Sequence, residues 1–365
     1  MRIPCSVPIR SMFGLATSCM VFAGIVAMAG DARAWSVDVR SPPFQWHTSH
    51  KAEIRPLTAA SKPWRICALY PHLKDSYWLS INYGMVAQAR ALGVELKVFD
   101  AGGYHRVDEQ LAQIDACRAW KADALLLGSV SFAGRIEELK ARVAGMPVFG
   151  LVNDVPLDTL EGRVATSWYA MGYRTGEFIA ARHPAGSKGV KIAWFPGASR
   201  WSDRPNVELG FFDALKSASV RELVIKEGPD NDRRIMRALL EDALQEHRDI
   251  DYVVGGAILA ETALVEVGHI EAARRPKVIS YYFTHGVYRG LLRGKVQMAV
   301  TDQMVLLGQL SLDQVSRFLD GKPFMTDIAP SLQTLTSDAS HTLETRNSLS
   351  PARFSPVFEV GPQRP

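Results

Sequence analysis

Cysteine is scarce in this sequence, with only four among its 365 residues: Cys5, Cys19, Cys67 and Cys117. Neither Cys67 nor Cys117 has a histidine or a second cysteine at metal-ligand spacing, so no zinc or iron–sulfur site is predicted. Glycine-rich phosphate loops of the G-x-G-x-x-G or Walker type are missing, which argues against a nucleotide cofactor. Basic runs are missing too, and with them the charge pattern of a nucleic-acid-binding protein.

Patterns of catalytic residues are also absent. The sequence has no G-x-S-x-G nucleophile elbow, and no pair of carboxylates is placed to share a site with a base. Of the nine histidines, six are spread over predicted loops and helix ends: His72, His105, His183, His247, His269 and His285. Among them only His105 is expected near the ligand cleft predicted below, and we interpret it as a solvated loop residue. We therefore expect no enzyme, no cofactor and no metal.

The N-terminal segment has the three parts of an export signal. Arg2 and Arg10 make a basic start, residues 15–30 form an apolar run, and Ala32-Arg33-Ala34 matches an A-x-A cleavage site. A membrane anchor is the alternative, but the run is shorter than the roughly 20 residues that a span needs. We expect a signal peptide at 1–34 that is cleaved after Ala34, and a mature protein outside the cytoplasm without membrane insertion.

Removal of that segment leaves a nearly neutral chain with two cysteines. Three Arg and one Asp are lost, so 39 Lys and Arg face 37 Asp and Glu and the formal charge is +2. In an oxidising compartment the remaining Cys67 and Cys117 most simply form a disulfide, and two buried free thiols are the alternative. Closing a loop of about 50 residues stabilises a fold by roughly 4 kcal/mol in the chain-entropy model.

Strands and helices alternate along the chain from Trp64, after a polar N-terminal arm at 35–60. Strands are predicted at 65–70, 94–99, 123–128 and 147–152, and then at 163–166, 190–195, 220–225, 251–255, 277–282 and 296–301. Helices are predicted at 78–92, 106–120, 132–144, 168–182, 203–217, 231–246, 259–270 and 303–320. Such βαβ repeats indicate two α/β lobes with parallel sheets, a cleft between them, and a strand-poor tail.

Two bulky aromatic residues follow the first strand. Tyr77 and Trp78 open the first helix, directly after the loop that leaves strand 65–70. Ligands of open α/β sheets bind at the carboxyl ends of the strands. Aromatic side chains on a polar loop at that edge therefore indicate a small-molecule site rather than core packing.

The order of elements resembles the type 1 periplasmic binding proteins, the fold of ribose-binding and lac-repressor-like proteins. The resemblance rests on Asn153 after the fourth strand, Gly210-Phe211 and the segment Gly-Lys-Val-Gln-Met-Ala-Val-Thr-Asp-Gln at 294–303, and it covers about residues 61–325. It implies two doubly wound lobes joined by a three-strand hinge, with crossovers near 155–162, 278–303 and 321–330. The implied division is an N-terminal lobe at 61–158 and 303–322, a C-terminal lobe at 159–302, and a tail with the hinge return at 323–365.

A closer likeness is to the receptors of this family that partner a membrane-bound hybrid histidine kinase in the control of trimethylamine N-oxide respiration. It rests on five segments: 67–80, 101–104 (Ala-Gly-Gly-Tyr), 168–173, 287–290 (Val-Tyr-Arg-Gly) and 301–304. It implies a periplasmic sensor that binds trimethylamine N-oxide and docks the periplasmic domain of such a kinase. An ABC-transport receptor for a sugar or small amine is one alternative, and a sensor subunit without any ligand is another.

Seven residues are expected to hold the ligand, at strand ends or helix starts on the cleft side: Tyr77, Trp78, Tyr104, Asn153, Trp168, Tyr282 and Asp302. By the resemblance, Tyr77 and Trp78 take the place of the aromatic pair that encloses the ligand in sugar-binding members. Aromatic faces beside a carboxylate suit a methylated cationic nitrogen, with about 0.5–2 kcal/mol per face. A tyrosine hydroxyl, the Trp78 indole or the Asn153 amide can donate to an oxide oxygen.

Several of these residues also have a purely structural explanation. Tyr77 and Trp78 can be packing residues of a helix start, Trp168 a core residue, and Tyr104 an exposed residue in a glycine turn. Asp302 can be the N-cap of helix 303–320, where it would accept from the amides of Val305 or Leu306.

Overall fold

The structure is a computed structural model, and it describes residues 34–45, 48–158, 160–197, 206–229, 232–339 and 345–362. The predicted signal peptide, except for Ala34, lies outside these residues. Within them, no helix is both long enough and apolar enough to cross a membrane.

The described part of the chain forms two sheets, and the first sheet contains the first strand of the chain. Its strands are β1 (Trp35–Arg40), β2 (Ser49–Ile54), β3 (Arg65–Tyr70), β4 (Glu95–Asp100), β5 (Ala124–Leu127), β6 (Val148–Leu151), β7 (Gly162–Val164), β13 (Asp327–Pro330) and β15 (Glu359–Val360). They lie in the order β15-β4-β3-β5-β6-β7-β13-β1-β2. The strands from β4 to β13 in this order are parallel, whereas β15, β1 and β2 pair antiparallel.

The second sheet repeats this pattern with fewer strands. It contains β8 (Val190–Phe195), β9 (Val220–Ile225), β10 (Tyr252–Gly255), β11 (Lys277–Ser280), β12 (Val296–Thr301) and β14 (Gln333–Thr336). Their order is β14-β12-β11-β10-β8-β9, and only β14 is antiparallel to its neighbour. The predicted strands at 190–195, 220–225 and 296–301 have the bounds observed.

Helices cover the sheets. They are α1 (Ser76–Leu92), α2 (Val107–Ala119), α3 (Ile136–Val143), α4 (Trp168–Arg182), α5 (Val207–Leu215), α6 (Arg233–Glu246), α7 (Ala257–Glu266), α8 (His285–Leu292) and α9 (Met304–Leu319). We call the first sheet with α1, α2, α3 and α9 lobe 1, and the second sheet with α4 to α8 lobe 2. The sequence pattern did not predict α8, which starts at the cap Thr284, whose side chain accepts from the Val287 amide.

Alternation of side chains along β3 explains why lobe 1 has helices on both sides. Ile66, Ala68 and Tyr70 belong to the core packed under α1 and α9. Cys67 and Leu69 belong to the opposite core, under α2 and α3. Successive residues of a strand point to opposite faces, so a continuous apolar strand is buried by helices on both faces.

A disulfide joins the first strand to the second helix. Cys67 of β3 and Cys117 of α2 are bonded, with their Cα atoms 5.9 Å apart. The predicted pairing is confirmed, and the alternative of two free thiols is wrong.

Residues 35–60 were expected to form a polar arm, and this prediction is wrong. β1 pairs with β13 and with β2, so the segment is a hairpin that extends the first sheet. The segment is polar overall, but Trp35, Val37 and Val39 alternate along it and place their side chains on the larger hydrophobic core, with Val37 wholly buried. Period-2 alternation over so few residues is a weak signal in sequence.

The chain crosses between the lobes later than the resemblance implied. β7 pairs with β6 and β13 in the first sheet, so the first crossover lies at 165–167 and not at 155–162. The second lies at 302–303, within the predicted range, and the third at 331–332, between β13 and β14. The tail, expected to be poor in strands, contributes β13 and β14 to different sheets and β15 to the edge of the first.

Close packing of α1 on α9 sets the position of the second crossover. A Cβ on Gly84 would lie 1.9 Å from the Val305 carbonyl oxygen, and one on Gly308 would lie 2.2 Å from the Ile81 carbonyl oxygen. Only glycine permits this approach of the two backbones. As a result, Asp302, which lies two residues before α9, lies beside the first turn of α1.

Candidate functional site

Two helix caps place aromatic side chains at the carboxyl ends of the strands. The Asp75 side chain accepts from the Trp78 amide at 3.1 Å and starts α1 with Tyr77 and Trp78 in its first turn. The Ser167 side chain accepts from the Ala170 amide at 3.1 Å and starts α4 at Trp168. The two helices belong to opposite lobes, and the ring of Tyr282 contacts the first turn of each, at Tyr77 and at Trp168.

Aromatic rings run in a continuous series from lobe 1 to lobe 2. The ring centroids of Trp78 and Tyr77 are 5.8 Å apart, and those of Tyr77 and Tyr282 are 5.7 Å apart. Tyr282 and Trp168 follow at 6.3 Å, and all three contacts are edge-on, as aromatic pairs prefer. Trp78 also donates its indole N–H to the Tyr104 hydroxyl at 3.3 Å. Five of the seven expected residues are therefore brought together, and we call these five the aromatic series.

Asp302 joins this series through Tyr77. Its Oδ2 accepts from the Tyr77 hydroxyl at 2.5 Å and from the Thr166 hydroxyl at 3.2 Å. The side chain is fully buried, and its Oδ1 has no hydrogen-bond partner among the described residues. Thr166 lies on the first crossover and Asp302 on the second, so the carboxyl group links both crossovers to α1.

Burial changes the acid–base behaviour of this pair. Desolvation raises the pKa of Asp302 to about 6, against the hydrogen bonds from Tyr77 and Thr166, which lower it. Burial also raises the pKa of Tyr77 well above its usual value, and the nearby Asp302 raises it further. Tyr77 is thus a permanent donor, and Asp302 can change charge under mildly acidic conditions.

The N-cap explanation of Asp302 is wrong. Gln303 occupies the N-cap position of α9, in the left-handed conformation, and no side chain caps the helix there. The Gln303 amide donates to the Thr301 hydroxyl at 3.0 Å, and the Leu306 amide donates to the Asn347 carbonyl oxygen at 3.0 Å. Neither carboxylate oxygen of Asp302 is used for the helix start.

Asn153 lies after β6, at the same edge of the first sheet. It is half-buried, and its Nδ2 donates to the Ser129 carbonyl oxygen at 3.0 Å. One of its two amide hydrogens is therefore used within lobe 1, and the structure does not bring it into the aromatic series.

Histidines near the cleft differ from those expected. His105 is exposed. His72, which directly follows β3 and Pro71, is buried against Tyr104 and Trp78. His285 starts α8 and donates its backbone amide to the Ser76 hydroxyl of α1 at 3.3 Å, a contact between the lobes. The sequence could have identified His72 as a candidate, because it lies at the end of a predicted strand.

Cavities of about 320 and 580 Å³ open elsewhere on the molecule. The smaller is lined by residues such as Ile250 and Pro276, which precede β10 and β11, and the larger by residues such as Pro147, which precedes β6. Both therefore lie at the amino ends of the strands, opposite the edge at which this fold binds ligands.

Comparisons with known proteins agree with this architecture. A family described as "Periplasmic binding proteins and sugar binding domain of LacI family" matches residues 63–356. The periplasmic protein TorT of Escherichia coli (strain K12) is 40% identical over 317 residues, which are 86% of this chain and 91% of TorT. The predicted α/β fold and the two likenesses read from the motifs are confirmed.

Two solved structures are similar over most of the chain. One is the TorS sensor domain–TorT complex in the presence of TMAO, with a TM-score of 0.75 and 39% identity over 81% of this chain and 99% of the matched chain. The other is an ABC transporter solute binding protein from Bradyrhizobium sp. BTAi1 with bound bis-Tris, with a TM-score of 0.78 and 34% identity over 89% of this chain and 98% of that chain.

Proposed function

Because this chain belongs to the family of periplasmic binding proteins and LacI-type sugar-binding domains, and is 40% identical to TorT, we propose that it is a periplasmic sensor protein. It binds trimethylamine N-oxide between its lobes and signals through the periplasmic domain of a TorS-like hybrid histidine kinase. The outcome is the induction of genes for N-oxide respiration. No covalent step is involved, since a ligand that favours the closed arrangement of the lobes is sufficient to send the signal.

The aromatic series and Asp302 form the ligand site in this proposal. Trimethylamine N-oxide has a methylated, positively charged nitrogen, which is attracted by ring faces and by a carboxylate. Asp302 supports this assignment most directly, because its carboxyl group is bonded to Tyr77 of the aromatic series and its buried Oδ1 has no partner among the described residues. The oxide oxygen is an acceptor, for which the Trp78 indole, a tyrosine hydroxyl or the second amide hydrogen of Asn153 is a donor.

Calorimetry of the mature chain tests this function. We expect binding of trimethylamine N-oxide, no competition by ribose, and tighter binding when the periplasmic domain of the kinase is present. Ligand binding and docking are linked, so each must strengthen the other by the same factor. Binding of ribose together with no measurable binding of trimethylamine N-oxide would contradict the proposal. Equal affinities with and without the kinase domain would refute the coupling.

Replacing Tyr104 by Ala tests the aromatic series within the same experiment. Loss of one ring face should cost about 1–2 kcal/mol of binding, or roughly 5- to 30-fold in affinity. Tyr104 is half-buried, so the thermal midpoint should change little. Trp78 is 1% exposed, and its replacement by Ala should also lower the free energy of unfolding, by about 3–5 kcal/mol. Normal binding by the Tyr104 variant would remove that ring from the site.

A transport receptor is the second candidate, because the similarity to the Bradyrhizobium solute binding protein reaches a TM-score of 0.78. Its bound bis-Tris is a hydroxylated tertiary amine, so a small amine is the matching ligand class. A transport receptor should bind its ligand with an affinity that the kinase domain does not change, and should stimulate an ABC permease in vesicles.

A further inference from the structure

His72 occupies a buried position beside the aromatic series that the function described above does not use. The residue is 4% exposed. Its ring meets the Tyr104 ring edge-on, with centroids 5.3 Å apart, and the Trp78 ring with centroids 6.4 Å apart. These are the two rings joined by the hydrogen bond from the Trp78 indole to the Tyr104 hydroxyl. His72 therefore touches both members of that pair.

The two imidazole nitrogens have different surroundings. Nε2 lies 3.9 Å from Oδ2 of Asp75, the residue that caps α1 and so places Trp78. Nδ1 is buried and has no hydrogen-bond partner among the described residues. A buried polar atom without a partner is costly, and at the edge of a ligand site it indicates a group that meets the ligand or its solvent shell.

The charged groups that face His72 come from two segments. Lys74 and Asp75 lie on the same loop as His72, before α1, and Asp100 ends β4. Asp100 accepts from the Leu73 amide at 3.2 Å, and Lys74 donates to the Gly102 carbonyl oxygen at 2.6 Å. The segment with His72 is thus fastened to the loop that carries Tyr104.

We propose that His72 is a further positioning and specificity residue of the cleft site, which holds Tyr104 against Trp78 and makes ligand affinity depend on its own protonation. The proposal rests on the proposed function, because it concerns the same site and a ligand with a methylated cationic nitrogen. Neutral His72 supports the two rings by edge contact alone. Protonated His72 adds a positive charge beside them and is drawn towards Asp75, and both effects oppose the positively charged nitrogen of the ligand.

The direction of the pH effect follows from burial. Desolvation lowers the pKa of His72 below its ordinary value, in spite of the opposing effect of Asp75 and Asp100. His72 is therefore neutral at neutral pH, where binding is strong, and affinity falls as acid protonates it. Asp302 also titrates in mildly acidic solution, so only a comparison of variants can assign the effect to His72.

Affinity for trimethylamine N-oxide is measured by calorimetry between about pH 5 and 7.5 for wild type and three variants. We expect wild-type affinity to fall about tenfold over this range. His72→Phe keeps the ring but cannot titrate, so it should bind as tightly as wild type at the upper end and lose much less in acid. His72→Gln cannot titrate either and loses the ring, so it should bind several-fold more weakly at every pH. The matched control is His105→Ala, an exposed neighbour of Tyr104, which should keep the wild-type profile.

The outcomes separate this inference from the function on which it rests. If His72→Phe, or His72→Gln where the Phe variant does not fold, has the same pH profile as wild type, the titration belongs to another group and the inference is wrong, while the proposed function stands. Failure of wild type to bind trimethylamine N-oxide at any pH would overturn the proposed function, and this inference with it.

Discussion

Asp302 shows how one residue can connect several parts of the molecule. Its carboxyl group accepts two hydroxyl hydrogens on Oδ2, from α1 and from the first crossover, and it is fully buried. Two neutral donors do not fully replace water around a carboxylate, so the pKa of Asp302 is raised to about 6. The charged form is therefore less favourable in the folded than in the unfolded protein.

Stability should reflect this difference with a definite sign. Between about pH 4 and 6 the folded protein holds a proton on Asp302 that the unfolded chain has released, so the free energy of unfolding decreases as pH rises. A shift of about two pKa units corresponds to about 2–3 kcal/mol. Asp302→Asn removes this dependence. The free energy of unfolding of the variant minus that of wild type should therefore increase by about 2–3 kcal/mol between pH 4 and pH 6. Denaturant unfolding at several pH values measures it, and a constant difference between the two proteins would contradict it.

At the scale of elements, the N-terminal hairpin of β1 and β2 stabilises the hinge. Arg40 of β1 donates to Asp327 at 2.6 Å and to the carbonyl oxygen of Ala165, on the first crossover, at 2.5 Å. Arg163 of β7 binds both oxygens of Asp327, each at 2.9 Å. The three charged side chains are 5% exposed or less. Through Arg40 the hairpin thus contacts β13, which precedes the third crossover, and Ala165 on the first crossover, which follows β7.

Replacing Arg40 by Met should therefore be costly. The substitution leaves Asp327 buried with one guanidinium instead of two, and breaking a buried ion pair costs about 3–5 kcal/mol. The matched control is Lys51→Met on β2, whose ion pair with Asp38 is at the surface, with Lys51 71% exposed. That change should cost less than about 1 kcal/mol. Equal losses in the free energy of unfolding for the two variants would show that Arg40 has no special role.

At the scale of the whole molecule, the C-terminal tail bridges the two lobes. The Ser350 amide donates to the Ser80 hydroxyl of α1 in lobe 1 at 3.1 Å. The Ser350 carbonyl oxygen lies 2.8 Å from Nε2 of His285, which starts α8 in lobe 2. Further along, Asn82 of α1 exchanges two hydrogen bonds with the backbone of Val357. The last part of the tail, from Ser350 onwards, is thus fixed on lobe 1 and contacts lobe 2 through His285.

Removing the His285 side chain should favour opening of the lobes. A receptor whose closed form is less populated binds its ligand more weakly in proportion. We expect His285→Ala to lower the affinity for trimethylamine N-oxide about 3- to 10-fold and to raise the radius of gyration without ligand. The control is His269→Ala, an exposed position in lobe 2. Unchanged affinity and scattering for the His285 variant would refute a role of the tail in closure.

Local patterns were sufficient to predict most of the elements and several site residues. The alternation of apolar strands with amphipathic helices depends on neighbours a few residues apart, and it predicted the parallel sheets of both lobes. The position of Tyr77 and Trp78 after the first strand indicated the binding edge in the same way. The helix α8 was missed because it is short and two glycines, Gly286 and Gly290, interrupt its pattern.

What the sequence by itself determined is therefore the fold class, the disulfide and the edge at which the aromatic residues lie. Only the tertiary structure decided which of these residues meet, because their contacts join distant parts of the chain. Tyr77 and Asp302 are 225 positions apart, and no local periodicity relates them. The burial of His72, the partnerless oxygen of Asp302 and the reach of the tail across the hinge arise in the same way. Each follows from how the helices and crossovers of two lobes pack together, which no single segment encodes.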